Sequence, residues 1–190
     1  MAIMPRVFLF GGPNGAGKTT IAMQVLRDLG EIEFVNADSI AKGLSPFHPE
    51  SVSVEAGKLM LSRMEFLLTR TQDFGFESTL ASRSFQRIIT RAKNSGYSFH
   101  LIFVHLQSVE LAIARVKSRV AAGGHNIPRD TIIRRYKSGI ENLRRIYLPL
   151  CDSFMIFDNS DRKPTLIAEG SSVENSPEIY DRHLWSRLIN

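Results

Sequence analysis

The sequence predicts an α/β fold built on a parallel β-sheet, and three observations lead to that prediction. Short apolar runs alternate with longer segments in which apolar residues recur at helical spacing, the pattern that βαβ units produce. The first apolar run, 7–10, leads directly into the glycine-rich stretch GGPNGAGKTT at residues 11–20. The length of 190 residues is typical of one domain that buries a real core.

Five apolar segments are the candidate strands, and helical spacing of apolar residues predicts the helices between them. The strands are Arg6–Phe10, Glu33–Asn36, Asp73–Glu77, Phe99–Val104 and Ser153–Asp158. The helices are Lys18–Leu29, Val54–Arg70, Ser84–Asn94 and Val109–Ala122, followed by a basic helix at about Arg129–Tyr147 that Pro128 can start. The last twenty residues predict a polar linker and then a short helix or strand.

Composition narrows the classes of protein. The chain has 24 Lys and Arg against 19 Asp and Glu, and this net charge of +5 suits an anionic ligand such as a nucleotide. No block of basic residues is interleaved with aromatics, so a nucleic-acid partner is not expected. Cys151 is the only cysteine, which excludes an intramolecular disulfide and multi-thiolate metal clusters. Because no signal cleavage site and no apolar segment of about 20 residues is found, we expect a cytoplasmic protein without membrane contacts.

The glycine-rich stretch has the spacing G-x-x-x-x-G-K-[ST] of a phosphate-binding loop. Its glycines let backbone N–H groups approach phosphate oxygens. Lys18 is expected to reach the β- and γ-phosphates, and the Thr19 hydroxyl to hold Mg²⁺. Strand, loop and helix follow in order, so a mere connecting turn is the weaker alternative. The predicted ATP-binding residues of this stretch are Gly12, Pro13, Asn14, Gly15, Ala16, Gly17, Lys18, Thr19 and Thr20.

The bound nucleotide is predicted to be ATP. Switch GTPases carry Asp-x-x-Gly after the third strand and an Asn-Lys-x-Asp base-reading motif, and this chain has neither. Asp158 and Asn159 follow the last predicted strand, at the place where adenine often lies in this type of fold.

The end of the second strand carries the candidate catalytic base. Asp38 lies two residues beyond Asn36, at the carboxyl edge of the sheet where ligands of open α/β sheets bind. A kinase needs a carboxylate there to accept the proton of the attacking hydroxyl. The alternative is that Asp38 caps a helix that begins near Ser39.

The end of the third strand carries candidate acceptor residues. Glu77 can bind a water of the Mg²⁺ shell or fix the acceptor, and a solvated strand end is the alternative. Thr79 and Arg83 follow on the loop and can face the acceptor, although Arg83 is equally compatible with a surface charge on the next helix.

A mobile lid is predicted at about residues 115–145. Arg115 and Arg119 lie four residues apart on one helix and would face the same side. Like charges at that spacing destabilise a helix by a few tenths of a kcal/mol. An anionic partner bound between them would make the interaction favourable. The Gly-Gly pair that follows suits a lid that closes over a reaction. Arg119 is the predicted lid arginine; the pattern leaves Arg115, Arg134 and Arg135 open, and His125 can contact phosphate or cap the next helix.

Four motifs in this order, GGPNGAGKTT, NADSIAKGLSPF, FESTLASRSF and RVAAGGHNIPRDTIIRRY, resemble those of zeta-toxin-like small-molecule kinases, closest to the compact single-domain branch. The resemblance covers nearly all of residues 6–170. It implies a P-loop kinase-type three-layer sandwich with a five-stranded parallel sheet and a helical lid, and it implies ATP and Mg²⁺. We place the kinase domain at residues 1–170 and a C-terminal extension at residues 171–190.

The resemblance also assigns roles to residues of this chain. Lys18 and Thr19 match the phosphate and metal residues, Asp38 the catalytic base, Glu77 and Thr79 acceptor-side residues, and Arg119 a lid arginine. The toxins phosphorylate the 3′-hydroxyl of the amino sugar in UDP-N-acetylglucosamine.

This chain departs from the toxin pattern in two places. The toxins have an arginine directly after the Thr-Leu pair, where this chain has Ala81 and Ser82 before Arg83. Their second lid arginine falls near His125. Both departures touch the acceptor side or the lid, so they bear on the substrate more than on the fold.

The sequence therefore predicts an ATP-dependent kinase for a hydroxyl of a small metabolite, with a nucleotide sugar such as UDP-N-acetylglucosamine first among candidates. The alternatives are a kinase for a nucleoside, an antibiotic or a nucleic-acid 5′ end, and a non-catalytic ATP-binding regulatory module. An antitoxin-like protein partner, toxicity and the oligomeric state are left open. The catalytic assignments are Lys18, Asp38 and Arg119, and Arg119 is also assigned to ATP binding. The substrate-binding assignments are Asn36, Asp38, Glu77, Thr79 and Arg83.

Overall fold

The computed structural model describes residues 4–30, 32–161, 163–172 and 176–190. The strands are β1 Arg6–Gly11, β2 Glu33–Val35, β3 Phe74–Ser78, β4 Ser98–His105, β5 Ser153–Asp158, β6 Thr165–Ser171 and β7 Glu178–Ile179. The helices are α1 Lys18–Asp28, α2 Ala37–Leu44, α3 Ser53–Thr69, α4 Phe85–Asn94, α5 Val109–Ala121, α6 Arg129–Asn142, α7 Leu148–Leu150 and α8 Arg182–Ile189. A 3₁₀ turn at Pro49–Val52 precedes α3, and a π-helical segment at Leu143–Tyr147 joins α6 to α7.

The sheet has the strand order β2-β3-β1-β4-β5-β6-β7. The first five strands in this order are parallel, which confirms the predicted parallel core. The predicted number of strands was too small, because β6 and β7 add to the β5 edge in antiparallel orientation. Strand β1 lies between β3 and β4, and Phe10 is level with Glu77 on one side and Ile102 on the other. The P-loop and the end of β3 therefore leave the sheet side by side.

Strand β1 shows why the protein forms three layers. Val7 and Leu9 point into the main core cluster, whereas Phe8 and Phe10 point into a second cluster with Leu26 of α1. A strand that is buried on both faces has a continuous apolar run, and it needs helices on both sides of the sheet. The α/β sandwich predicted from the alternating pattern is confirmed.

The predicted lid helices have an apolar cluster of their own. Val116 of α5 and Ile132 of α6 pack together with Ile127 of the intervening loop. This cluster touches the sheet through Val104, near the carboxyl end of β4. The lid is thus built as a small unit above the edge of the sheet where the P-loop begins.

The C-terminal residues pack against the far edge of the sheet. Leu184 and Leu188 of α8 are buried, and Trp185 stacks on Phe154 of β5 with ring centroids 5.8 Å apart. Asp181 starts α8 because its Oδ1 accepts a hydrogen bond from the Leu184 N–H at 2.9 Å. The boundary at residue 170 stays a prediction. Within the ranges that the structure describes, the helices are too short or too polar for a bilayer crossing.

A buried histidine predicts sensitivity to acid. His105 is 6% exposed, and burial lowers the pKa of its imidazole to about 4, against an ordinary value of 6.5. Between these values the unfolded chain binds the proton and the folded protein does not, so the free energy of unfolding falls as the pH drops from about 6.5 towards about 4. From about pH 7.5 to about pH 5 this group should remove about 2 kcal/mol.

Urea unfolding at the two pH values checks this prediction. His105→Gln should lose less stability on acidification than the wild type, by that amount. His183→Gln, which changes an exposed histidine of α8, should behave like the wild type. An equal acid loss in His105→Gln and the wild type would contradict the prediction.

Candidate active site

The loop between β1 and α1 forms a cradle that only glycine permits at its tight points. Gly12 has φ +142°, and a Cβ there would lie 2.2 Å from the Val104 carbonyl oxygen. Gly17 has φ +86° at the N-cap of α1, where no side chain caps the helix. The first N–H groups of α1 therefore point into the loop unpaired by a capping side chain, the arrangement that binds phosphate.

Lys18 lies at the centre of the charges around this loop. The side chain is buried, and its Nζ donates a hydrogen bond to the Pro13 carbonyl at 3.0 Å. Burial lowers the pKa of the Lys18 ammonium, and two carboxylates oppose that shift while two guanidinium groups add to it. The carboxylates are Glu77 and Asp38, and the guanidinium groups are Arg119 and Arg135. Lys18 thus has four charged neighbours, two of each sign, of the types that phosphoryl-transfer sites use.

Thr19 and Glu77 form a pair of oxygen donors beside the loop. The Thr19 hydroxyl, in the first turn of α1, donates to Glu77 Oε2 of β3 at 2.6 Å. Mg²⁺ prefers oxygen ligands and is usually held by one or two protein groups together with phosphate oxygens. The donor set fits that ion, and the half-buried Glu77 is more than a solvated strand end.

Two buried polar atoms at the site lack a hydrogen-bond partner in the described part of the chain: Asn14 Oδ1 in the loop and Arg119 Nε in α5. Unpaired polar atoms of this kind are costly unless a ligand or water pairs with them. Arg119 Nη2 donates only a long bond of 3.4 Å to the His125 carbonyl. The loop and this guanidinium fit the phosphates of ATP.

Asp38 does not cap α2, so that alternative was wrong. The helix begins at Ala37, and Asn36 is its N-cap, with Oδ1 accepting from the Ser39 N–H at 3.0 Å. Asp38 stands exposed in the first turn, and its carboxylate makes no ion pair or hydrogen bond with the residues that the structure describes. The side chain is available to an acceptor, whereas Asn36 has one of its polar atoms engaged in the cap.

Three adjoining clefts, each of about 350–370 Å³, meet at Asp38 and His125, which line all of them. The inner cleft is lined by Lys18, Glu77, Thr79 and Phe85, among others. The lid cleft is lined by Thr19, Lys42, Arg119, Gly123 and Gly124. The outer cleft is lined by Pro49, Glu50, Ser53, Asn126 and Thr131.

The structure selects among the arginines that the sequence left open. Arg134 and Arg135 of α6 line both the inner and the outer cleft. Burial, and then the neighbouring Arg134, lower the pKa of the Arg135 guanidinium. Two adjacent cations against one cleft favour an anionic ligand there. Arg83 is exposed and lines none of the three clefts, so its acceptor role stays a prediction.

Arg115 contacts the loop that follows β5, and this loop in turn contacts the P-loop. It donates to the Ser160 carbonyl at 3.0 Å, in the loop after β5. Asn159 of the same loop donates to the Ala16 carbonyl at 2.8 Å and so ties this loop to the P-loop. Asp158 is buried and accepts from Ser160 Oγ at 2.6 Å, which makes it a structural residue of the loop. The loop, rather than Asp158 itself, is next to the nucleotide cradle.

The sequence analysis did not assign several further residues that line the inner cleft, and it treated Ser82 only as part of a departure from the toxin pattern. The unassigned residues are Ala37, Met60, Ser78, Phe85 and Ile127. Met60 lies in a helical stripe that predicts core packing alone. The serines flank Thr79 and could have been found from its position. Met60 and Phe85 thereby add apolar side chains to an otherwise mostly polar lining.

A parallel sheet with a central β1, a P-loop and a carboxylate at the carboxyl edge define a kinase-like P-loop protein that uses ATP. The chain belongs to the zeta toxin family, whose model matches residues 2–167.

Relatives agree with this placement. A protein of Haemophilus influenzae without a known function is 31% identical over 137 residues, which are 69% of this chain and 92% of the relative. The AvrRxo1-ORF1:AvrRxo1-ORF2 complex with sulphate ions matches with a TM-score of 0.81 at 16% identity, over 100% of this chain and 65% of that one. The same complex with ATP gives a TM-score of 0.79 at 16% identity, over 100% of this chain and 64% of that one. The PezAT toxin–antitoxin system of Streptococcus pneumoniae gives 0.68 at 23% identity, over 92% of this chain and 75% of that one.

Proposed function

We propose that the protein is a kinase that transfers the γ-phosphate of ATP to a hydroxyl of a small metabolite, with a nucleotide sugar such as UDP-N-acetylglucosamine as the first candidate acceptor. The observation that carries this proposal is the position of Asp38, whose carboxylate lines the same cleft as the P-loop lysine and makes no ion pair or hydrogen bond with the described residues. A protein that only bound ATP would have no need of a free carboxylate at that place.

ATP and Mg²⁺, when bound, supply the phosphoryl group and neutralise part of its charge. Thr19 and Glu77 would hold the ion, as their paired oxygens indicate. Lys18 and Arg119 would stabilise the negative charge that develops on the transferred group. Asp38 would orient the acceptor hydroxyl and accept its proton as the new bond from oxygen to phosphorus forms and the bond to the leaving ADP oxygen breaks.

The inner cleft supports an acceptor that carries negative charge of its own. Arg134 and Arg135 of α6 line it together with the carboxylates of Asp38 and Glu77. A nucleotide sugar has ring hydroxyls that the carboxylates could bind and a diphosphate that the arginines could bind. Met60 and Phe85 offer an apolar surface for a ring or an acyl group.

A different hydroxyl acceptor is the second candidate. Ala81 and Ser82 line the inner cleft at the place where the toxins have an arginine, and the displaced Arg83 is outside it. The cleft therefore lacks one cation that the toxin pattern supplies. A nucleoside, which carries no phosphate, or a metabolite with less negative charge than a nucleotide sugar would suit such a cleft, and Mg²⁺-dependent transfer would be the shared chemistry. The PezAT relative belongs to a toxin–antitoxin system, which supports an antitoxin-like protein as a partner.

Transfer of label tests the proposal. The purified protein would be incubated with Mg²⁺, γ-labelled ATP and a panel of UDP-N-acetylglucosamine, other nucleotide sugars, nucleosides and oligonucleotides. We expect label on a nucleotide sugar. Label on another small acceptor would support kinase activity and contradict the nucleotide sugar as acceptor. If an oligonucleotide is the acceptor, its labelling should decrease steeply as the salt concentration rises. ATP binding without transfer to any acceptor, including a metabolite extract, would favour the regulatory module.

A further inference from the structure

The loop from Ser78 to Ser82 is the acceptor-side wall of the inner cleft, and it is held in an unusual conformation. Four of its residues line the cleft, whereas Leu80 is fully buried beneath them. Leu80 has φ +59°, the left-handed region that residues with a Cβ rarely adopt. Its side chain packs so closely on Gly11, at the start of the P-loop, that a Cβ there would lie 2.8 Å from Leu80 Cδ1. Such a conformation persists only where the surroundings enforce it.

Helix α6 approaches this loop closely at Gly139. A Cβ on Gly139 would lie 2.4 Å from the Thr79 carbonyl oxygen, so only glycine allows the contact. One turn further on, the buried Asn142 donates from Nδ2 to the Leu80 carbonyl at 2.8 Å. Two successive carbonyls of the loop therefore face one side of α6.

A third contact comes from the π-helical segment. The fully buried Tyr147 donates its hydroxyl hydrogen to the Ser82 carbonyl at 2.8 Å. In an α-helix, residues five apart lie about 140° apart around the axis, so Asn142 and Tyr147 could not both face the loop. The π segment, closed by the Leu148 N–H on the Leu143 carbonyl, brings positions five apart towards one face. Short π segments of this kind are frequently found at functional sites.

We propose that Asn142, together with Gly139 and Tyr147, is a positioning residue for the acceptor. We call these three residues the clamp. Asn142 and Tyr147 bind the carbonyls of Leu80 and Ser82, and Gly139 leaves room for the carbonyl of Thr79. The clamp thereby fixes the loop on the side away from the cleft, so that the side that lines the cleft keeps its position against the acceptor. The same helix carries Arg134 and Arg135, so one rigid element places both the acceptor wall and the cations that face it. This inference rests on the proposed function, because it assigns the loop to the acceptor.

Two variants and one matched control test the clamp. Asn142→Leu removes the donor at nearly constant size, and Tyr147→Phe removes only a hydroxyl. Tyr136→Phe is the control, because the Tyr136 hydroxyl also donates from α6 to a backbone carbonyl, that of Leu106, at 2.6 Å, but away from the acceptor loop. With UDP-N-acetylglucosamine as acceptor, Asn142→Leu should lower kcat/KM for the acceptor by about 10- to 100-fold, Tyr147→Phe by less. The KM for ATP and the acceptor-free hydrolysis of ATP should stay within about twofold of wild type in all three.

Amide hydrogen exchange supplies a measurement that needs no acceptor. Peptides that cover residues 78–82 should exchange faster in Asn142→Leu and Tyr147→Phe than in the wild type and Tyr136→Phe, while the P-loop peptides exchange alike. Unchanged exchange at residues 78–82 in Asn142→Leu would overturn the clamp. Faster exchange with an unchanged acceptor KM and kcat would overturn its positioning role. A wild type that transfers nothing to UDP-N-acetylglucosamine overturns the sugar proposal alone, since the exchange comparison still decides whether the clamp holds the loop.

Discussion

Asp38→Asn is expected to abolish most phosphoryl transfer while leaving ATP binding intact. The amide keeps the size of the carboxylate but cannot accept the proton of the acceptor hydroxyl. Loss of general-base catalysis lowers rates by about 100- to 10,000-fold. Asp38 is exposed and makes no ion pair within the described ranges, so the free energy of unfolding should change by less than about 0.5 kcal/mol. Steady-state transfer to whichever acceptor the panel identifies, together with an ATP titration, measures both effects.

Asp130→Asn is the matched control for that variant. Asp130 is also an exposed carboxylate in the first turn of a helix, α6, and it lines none of the three clefts. Its replacement removes the same favourable interaction with the helix N-terminus. If Asp38→Asn retained the transfer rate of Asp130→Asn, Asp38 would not be the base, and the carboxylate of Glu77 would be the next to test.

Gly12→Ala is expected to cost both stability and ATP affinity. The new methyl group would lie 2.2 Å from the Val104 carbonyl oxygen. That oxygen belongs to β4, a central strand whose backbone is paired on both sides, so neither group can move away easily. The loop must then shift, which separates its N–H groups from the phosphates. We expect ATP affinity to fall by at least about tenfold.

Gly30→Ala separates the steric clash from the backbone conformation. Gly30 has φ +106°, and among the described residues no atom beyond its chain neighbours lies within 4 Å of a Cβ built there. Alanine at this position should lower the free energy of unfolding by about 1–2 kcal/mol, because a residue with a Cβ is strained at a positive φ. Gly12→Ala should lower the free energy of unfolding by about 1–3 kcal/mol more than Gly30→Ala, because overpacking adds to the strain. Urea unfolding and ATP titration of both variants measure the free energy of unfolding and the affinity for ATP. Equal decreases in the two variants would contradict the close approach of the loop to β4.

Local signals in the sequence determined the nucleotide half of the site. The apolar run of β1, the glycines of the loop and the Lys18-Thr19 pair are contiguous, so their spatial relation follows from their order along the chain. The short apolar runs of the five parallel strands are local signals too, although their order in the sheet, β2-β3-β1-β4-β5, does not follow from their order along the chain. The strands β6 and β7 were not found, because their segments lie among polar residues and form on the β5 edge only when the sheet exists.

The tertiary structure decided the acceptor half. Arg115 and Arg119 are four residues apart and were expected to face the same side, with the role of Arg115 left open. In the structure Arg115 binds the loop after β5, whereas Arg119 lines the lid cleft. Arg134 and Arg135 could not be told apart from a solvated basic face until α6 was placed beside the inner cleft. The clamp on the Ser78–Ser82 loop joins residues more than sixty positions apart. No periodicity encodes such contacts, because they depend on how distant elements pack together, and that packing is what selects one side chain over its neighbours.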